Sequence, residues 1–218
     1  MKRTVLFLSL TLLVMTGCNF MNKTSGTTGS GKMRLEKRDV AAFSAVDISG
    51  AYDIEIVVQK QQSVEIEGDD NLLPIIKTEV KNGVLKVYNE KMFSTKNNLR
   101  LRISVPDLDG ITTSGASEFV VSDVKGDEFN IEASGAGHIK ISGEIKTLVA
   151  GMSGAVGLDA KDLHAQKVTV TSSGASNADV YASEELNADV SGAGNVDYYG
   201  DPKTVNQDTS GAGSISKK

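Results

Sequence analysis

Asp69 and Asp70 form the most conspicuous acidic pair in this chain. Two carboxylates on one face could serve as acid and base in glycosidic hydrolysis. Neighbours on a strand, however, point to opposite faces, and Gly68-Asp69-Asp70-Asn71 reads more simply as a turn. The two histidines, His138 and His164, are far apart in sequence, and no Ser-His-acid order accompanies them. His138 falls in an outward phase of the pattern described below, and His164 in a polar stretch that reads as a loop. Two isolated imidazoles make no metal site. Lys125, Lys140, Lys146, Lys161, Lys167 and Lys203 are scattered, and no arginine follows Arg102. A lyase, which needs a base beside a cation or metal, therefore finds no cluster to work with. Flat aromatic rings suit carbohydrate, but the chain has no Trp and 5% aromatic residues. Tyr181 and Tyr199 are candidates for such a face, and Tyr198 falls in an inward column. These residues point to a binding or structural protein rather than an enzyme, with no catalytic residue, no cofactor and no metal.

The elements that would position such residues repeat. Ser-Gly-Ala occurs at Ser49, Ser114, Ser134, Ser153, Ser173, Ser191 and Ser210. From Ser114 onward the steps are 20, 19, 20, 18 and 19 residues. Five residues after each of these later serines stand Phe119, Ile139, Leu158, Ala178, Val196 and Ile215, and two residues on stand Val121, Ile141, Ala160, Val180 and Tyr198. Before the serines come Phe129 and Ile131, Leu148 and Ala150, Val168 and Val170, Leu186 and Ala188. Alternation at period two marks half-buried strands. A unit of about 19 residues has no core of its own, so stacked units must bury one another's inner faces. The pattern predicts an all-β fold, a parallel β-helix or solenoid, with glycine and alanine at tight corners. The uneven spacing favours a right-handed coil. The nine-residue Gly-Gly-x-Gly-x-Asp pattern of calcium-binding β-rolls is absent.

Residues 114–218 hold the regular repeats, and 33–113 are expected to form less regular rungs and a cap over an otherwise open sheet end. Within that cap, Val64 and Ile66 mark a strand, Asn71 to Ile76 a turn or short helix, and Leu99 to Val105 another strand. Glu79 to Tyr88 reads as a hairpin turning at Asn82-Gly83, the pair that favours a type I′ turn.

The first 17 residues have the zones of a secretory signal peptide. Lys2 and Arg3 precede an apolar stretch from Val5 to Met15, too short to span a bilayer. Met15-Thr16-Gly17-Cys18 resembles the bacterial lipobox, which implies cleavage before Cys18 and lipidation of its thiol. Cys18 is the only cysteine, so the folded part has no internal disulfide and no thiolate metal site. Removing Lys2 and Arg3 takes the formal charge from −5 to −7, against nucleic acid and against an electrostatic hold on anionic lipid. Residues 18–32, rich in Gly, Ser and Thr, read as a flexible tether of about 20 Å.

The runs SGAYDIEIV and SVEIEGDDNLLPIIKTEVKNGVLKV, followed by the Ser-Gly-Ala-Gly units, resemble the DUF2807 family, also called the putative auto-transporter adhesin head GIN domain. The resemblance covers residues 40–216. It implies a right-handed β-helix-like fold and an exported protein common in Bacteroidetes, and it brings no catalytic residues. The expected role is an envelope-anchored adhesin or binding module for a glycan or protein. A structural scaffold is the alternative, and a polysaccharide-active enzyme ranks third. The membrane partner is reached through Cys18. Residues 19–23 carry no acid of the kind that often marks surface lipoproteins, so outer-membrane attachment is expected with either an outward or a periplasmic orientation.

Overall fold

The computed structural model describes residues 26–218. Cys18, the signal peptide and the start of the tether lie outside the described residues. The described chain is all-β, with one 3-10 turn at Leu73–Ile75. The first strands are β1 (Thr27–Thr28), β2 (Met33–Lys37), β3 (Ala45–Gly50), β4 (Asp53–Val58) and β5 (Ser63–Asp69). After the 3-10 turn come β6 (Ile76–Lys81), β7 (Val84–Asn89), β8 (Phe93–Ser94), β9 (Arg100–Val105) and β10 (Gly110–Gly115). The rest comprises β11 (Glu118–Gly174), β12 (Asn177–Gly192), β13 (Asn195–Tyr199), β14 (Thr204–Gly211) and β15 (Ser214–Lys217).

Two ladders leave the start of β11. One runs through β10, β3 and β7 to β6, and the other through β4, β9 and β5 to β2. At the far side β12 pairs with β11, β13 and β14 pair with β12, and β15 pairs with β13. Pairing along the repeats is parallel and in register. Ser49 pairs with Ser114 and Ser114 with Ser134. Ser173 likewise pairs with Ser191 and Ser191 with Ser210.

This register depends on glycine at the corner. Gly135 and Gly154 have φ of 102° and 95°, a region that other residues rarely occupy. A Cβ on Gly154 would lie 2.4 Å from the carbonyl oxygen of Gly135. The same clash, at 2.3 to 2.6 Å, recurs for Gly115, Gly135, Gly174, Gly192 and Gly211 against the glycine one turn earlier. The corners thus stack backbone on backbone. Serine hydroxyls beside them bond in two ways: Ser49 and Ser114 meet at 2.9 Å, while Ser134 and Ser173 donate to the carbonyls of Thr113 and Met152.

The alternating apolar residues fill the interior. Phe119, Phe129, Ile139, Leu148, Leu158, Val168 and Leu186 are all buried, each contributing about 1.5–3 kcal/mol. At the N-terminal side the stack ends in antiparallel strands. β6 pairs antiparallel with β7, turning at Asn82 and Gly83 with φ of 54° and 77°, the positive pair that a type I′ turn requires. On the other ladder β5 lies antiparallel to β9, and β2 antiparallel to β5. At the other side, every residue of β14 is exposed.

Residues 26–32 differ from the flexible tether expected of their composition. Thr27 and Thr28 pair in parallel with Phe93 and Ser94, and Gly29 N–H donates to the Ser94 carbonyl at 2.8 Å. Small polar residues bury little apolar surface, but here they find backbone and carboxylate partners that hold them.

Replacing Gly154 with alanine is expected to cost about 2–4 kcal/mol in chemical denaturation, from the left-handed φ and the carbonyl contact. Gly151→Ala is the control. The nearest atoms its Cβ would meet are those of the carboxylate end of Glu132, a flexible group, and the change should cost about 0.5 kcal/mol or less. Equal losses would remove the corner from this account.

Candidate binding faces and the Asp69 clasp

Because the turns stack in register, outward side chains line up in columns, and three places gather polar chemistry. The first is a column of rings. His164 pairs with Tyr181, and Tyr181 with Tyr199. The His164 and Tyr181 rings meet edge to face, with centroids 4.5 Å apart and planes at 72°. His164 is exposed and both tyrosines are half-buried. His164 therefore belongs to β11 rather than to a loop. A register shift between Ala160 and His164 brings it opposite Tyr181. Tyr198 points inward and is buried. His138 is exposed and stands over Gly157, whose missing Cβ leaves room for the imidazole.

The second is an acidic column. Asp159 pairs with Asp179, and Asp179 with Asp197. Desolvation, then the nearby Asp197 and Asp159 charges, raise the Asp179 pKa above the usual carboxylate range. Lysines offset the repulsion: Lys161 lies 3.3 Å from Asp159, and Lys218 lies 3.1 Å from Asp197. No group of three or more metal-ligating side chains with metal geometry exists among the described residues. Before the corners, a shallow groove of about 330 Å³ runs over Thr112, Ser114, Glu132, Ser134, Gly151 and Thr171. Its lining offers hydroxyls and one carboxylate.

The third is the acidic pair singled out in the sequence, and the two residues part company. Asp69 ends β5 and is buried. It accepts hydrogen bonds from the Thr95 hydroxyl, from Asn97 Nδ2 at 2.9 Å and from Gly31 N–H at 2.7 Å. These donors, Thr95 foremost, hold its carboxyl below the usual range despite desolvation. Asp70 starts the turn and accepts from Ser30 Oγ at 2.5 Å. Asn71 accepts from Ser30 N–H and donates to the Thr28 carbonyl. The pair is a clasp that fixes the incoming chain, not an acid–base dyad. A turn reading of Gly68 to Asn71 misses it, because the partners lie 26 to 43 residues away. The buried corner serines were missed too. Ser117 Oγ donates to the Gly50 carbonyl and accepts from Tyr52 N–H, and Ser176 repeats both bonds at Gly154 and Val156.

Comparison with known proteins settles the family. The sequence profile described as "Putative auto-transporter adhesin, head GIN domain" matches residues 42–202. The chain belongs to the DUF2807 family. A "putative adhesin" from Bacteroides fragilis superposes with a TM-score of 0.74 at 23% identity, covering 88% of this chain and 100% of that one. A "putative lipid binding protein" from Parabacteroides distasonis gives 0.59 at 20% identity, with 88% and 99% covered. A "putative adhesin" from Parabacteroides merdae gives 0.58 at 18% identity, again with 88% and 99% covered. At these identities the likeness is one of fold. No curated protein matches the chain.

Asp69→Ala is expected to release residues 27–31, raising their amide exchange by roughly tenfold while the stacked turns keep their protection. In the wild type, a carboxyl with a lowered folded pKa stabilises above its unfolded pKa. That contribution is lost as the pH falls through the folded value. Acidification below the ordinary carboxylate range should therefore reproduce the release, and unchanged exchange in both cases would remove Asp69 as the clasp.

Proposed function

We propose that this DUF2807 chain is an exported, outer-membrane lipoprotein that acts as an adhesin or binding module. In this reading residues 1–17 direct export and Cys18 carries the lipid. The stacked turns form a right-handed β-solenoid that presents a ligand-binding flank. The observation that carries the binding role is the His164–Tyr181–Tyr199 column, three partly exposed rings on successive register partners. Flat rings with a polar edge suit the apolar face of a sugar ring, and neighbouring Asp159, Lys161 and Asp179 offer hydrogen bonds to its hydroxyls. The ligand class is a glycan. The family's adhesin description agrees with this role. The candidate catalytic groups are dispersed: Asp69 and Asp70 are occupied in the clasp, and His138 and His164 stand on different columns.

Orientation is tested by protease shaving of intact cells beside a periplasmic marker, with Cys18→Ala as the unanchored control. The adhesin reading expects loss of the folded domain while the marker survives. Protection until the envelope is permeabilised would overturn it.

The glycan contact is tested on an array with the purified protein. A Tyr181→Ala, Tyr199→Ala double variant is expected to bind about tenfold more weakly, equivalent to about 1.4 kcal/mol. Unchanged retention of every glycan bound by the wild type would exclude the column as the contact.

A further inference from the structure

The surface around Gly26, the first of the described residues, contrasts with the rest of the molecule. Residues 26–40 and 90–100 together carry seven cations and three acids, in a chain with 23 cations and 28 acids overall. Lys37, Arg38 and Arg100 are paired with Glu65, Glu36 and Glu67, and the adjoining Asp69 and Asp70 are held in the clasp. Lys32, Arg34, Lys91 and Lys96 are exposed. None of the four forms an ion pair among the described residues. Large apolar side chains lie at the same end: Met33 and Leu35, on the face of β2 opposite Arg34, are about half exposed, and Met92, next to Lys91, is 75% exposed. Backbone bonds hold these groups close together. Thr27 N–H donates to the Met92 carbonyl at 3.1 Å, and Asp70 N–H to the Lys32 carbonyl at 2.9 Å. Met33 is the register partner of Asp69, which takes its hydrogen bond from Thr95, next to Lys96.

We infer that this end of the fold is a membrane-contact surface, its exposed cations on anionic lipid headgroups and Met92 among them. The inference rests on the reading of Cys18 as the lipid anchor. Cys18 lies eight residues before Gly26, and eight residues reach at most about 29 Å when fully extended. The anchor therefore keeps this patch near the bilayer. Basic groups gain from an anionic surface only within about a Debye length. Large apolar side chains beside them enter the boundary between headgroups and acyl chains. The net acidity that argues against lipid binding for the whole chain belongs to the stacked turns, which anionic lipid repels. Local charge, not the total, decides which end faces the membrane.

The test uses the full-length lipidated protein in vesicles of phosphatidylethanolamine with phosphatidylglycerol. With Cys18 acylated, as the anchor reading requires, a Met92→Cys variant takes an environment-sensitive fluorophore at position 92 alone. Ser210→Cys supplies the distal control. Nitroxide-labelled lipids are expected to quench the label at position 92 and leave the label at position 210 bright. Adding Lys91→Glu and Lys96→Glu should reduce that quenching at least about threefold, as should high salt. If the protein floats with the vesicles but both labels are equally unquenched, the contact is overturned and the anchor stands. If the full-length protein does not float at all, the anchor reading falls and this surface with it.

Discussion

The stack depends on one close approach, the carbonyl oxygen of each corner glycine occupying the space where the next turn's Cβ would be. Parallel strands a fixed distance apart can share straight columns of side chains only if their corners coincide, and only glycine lets the corners coincide at this φ. Once the corners are pinned, equivalent inner residues lie above one another. Phe, Ile, Leu and Val of successive turns then bury each other without any turn having a core of its own. The corner serines follow the same geometry. Ser117 and Ser176 place a hydroxyl inside the bend, and a Cβ on Gly137 or Gly194, one turn later, would lie 2.4 or 2.0 Å from their carbonyls.

The same registration concentrates like charges on the outside. Asp159, Asp179 and Asp197 are stacked because their turns are, whatever the electrostatic cost. The raised Asp179 pKa records part of that cost. Lys161 and Lys218 offset it locally, and amide and hydroxyl ladders replace charge elsewhere: Asn195 donates to Asn177, Ser214 to Asn195, and Asn206 to Asn187. These neutral ladders gain a bond from each register partner and suffer no repulsion.

Much of this was legible in the sequence because its signals are periodic or local. The alternating apolar residues, the Asn82-Gly83 turn and the short helical turn near Leu73 each carry their cause within a few residues. The Asp69 clasp does not. Its donors come from Gly31, Thr95 and Asn97, and nothing in Gly68-Asp69-Asp70-Asn71 names them. The ring column was hidden for a different reason. Ala160 pairs with Val180 across 20 residues, but His164 pairs with Tyr181 across 17. The polar stretch around His164 reads as a loop, whereas the irregular turn absorbs the difference and returns it to a strand opposite a tyrosine.

The clasp joins the two proposed surfaces. If Cys18 carries the proposed anchor, a segment unbonded up to Lys32 would let the domain tumble, and no side of it would face the membrane for long. Residues 27–31 are instead held on Asp69, Asp70 and Asn71. From Gly50, beside that end, to Gly211 there are six stacked steps, about 29 Å at the usual strand spacing. The tyrosine column lies in the later turns of that stack. With the basic end held at the bilayer, the rings stand well beyond the headgroups, where a soluble or cell-borne glycan can reach them. Releasing the clasp would loosen that separation without altering a single residue of the ring column.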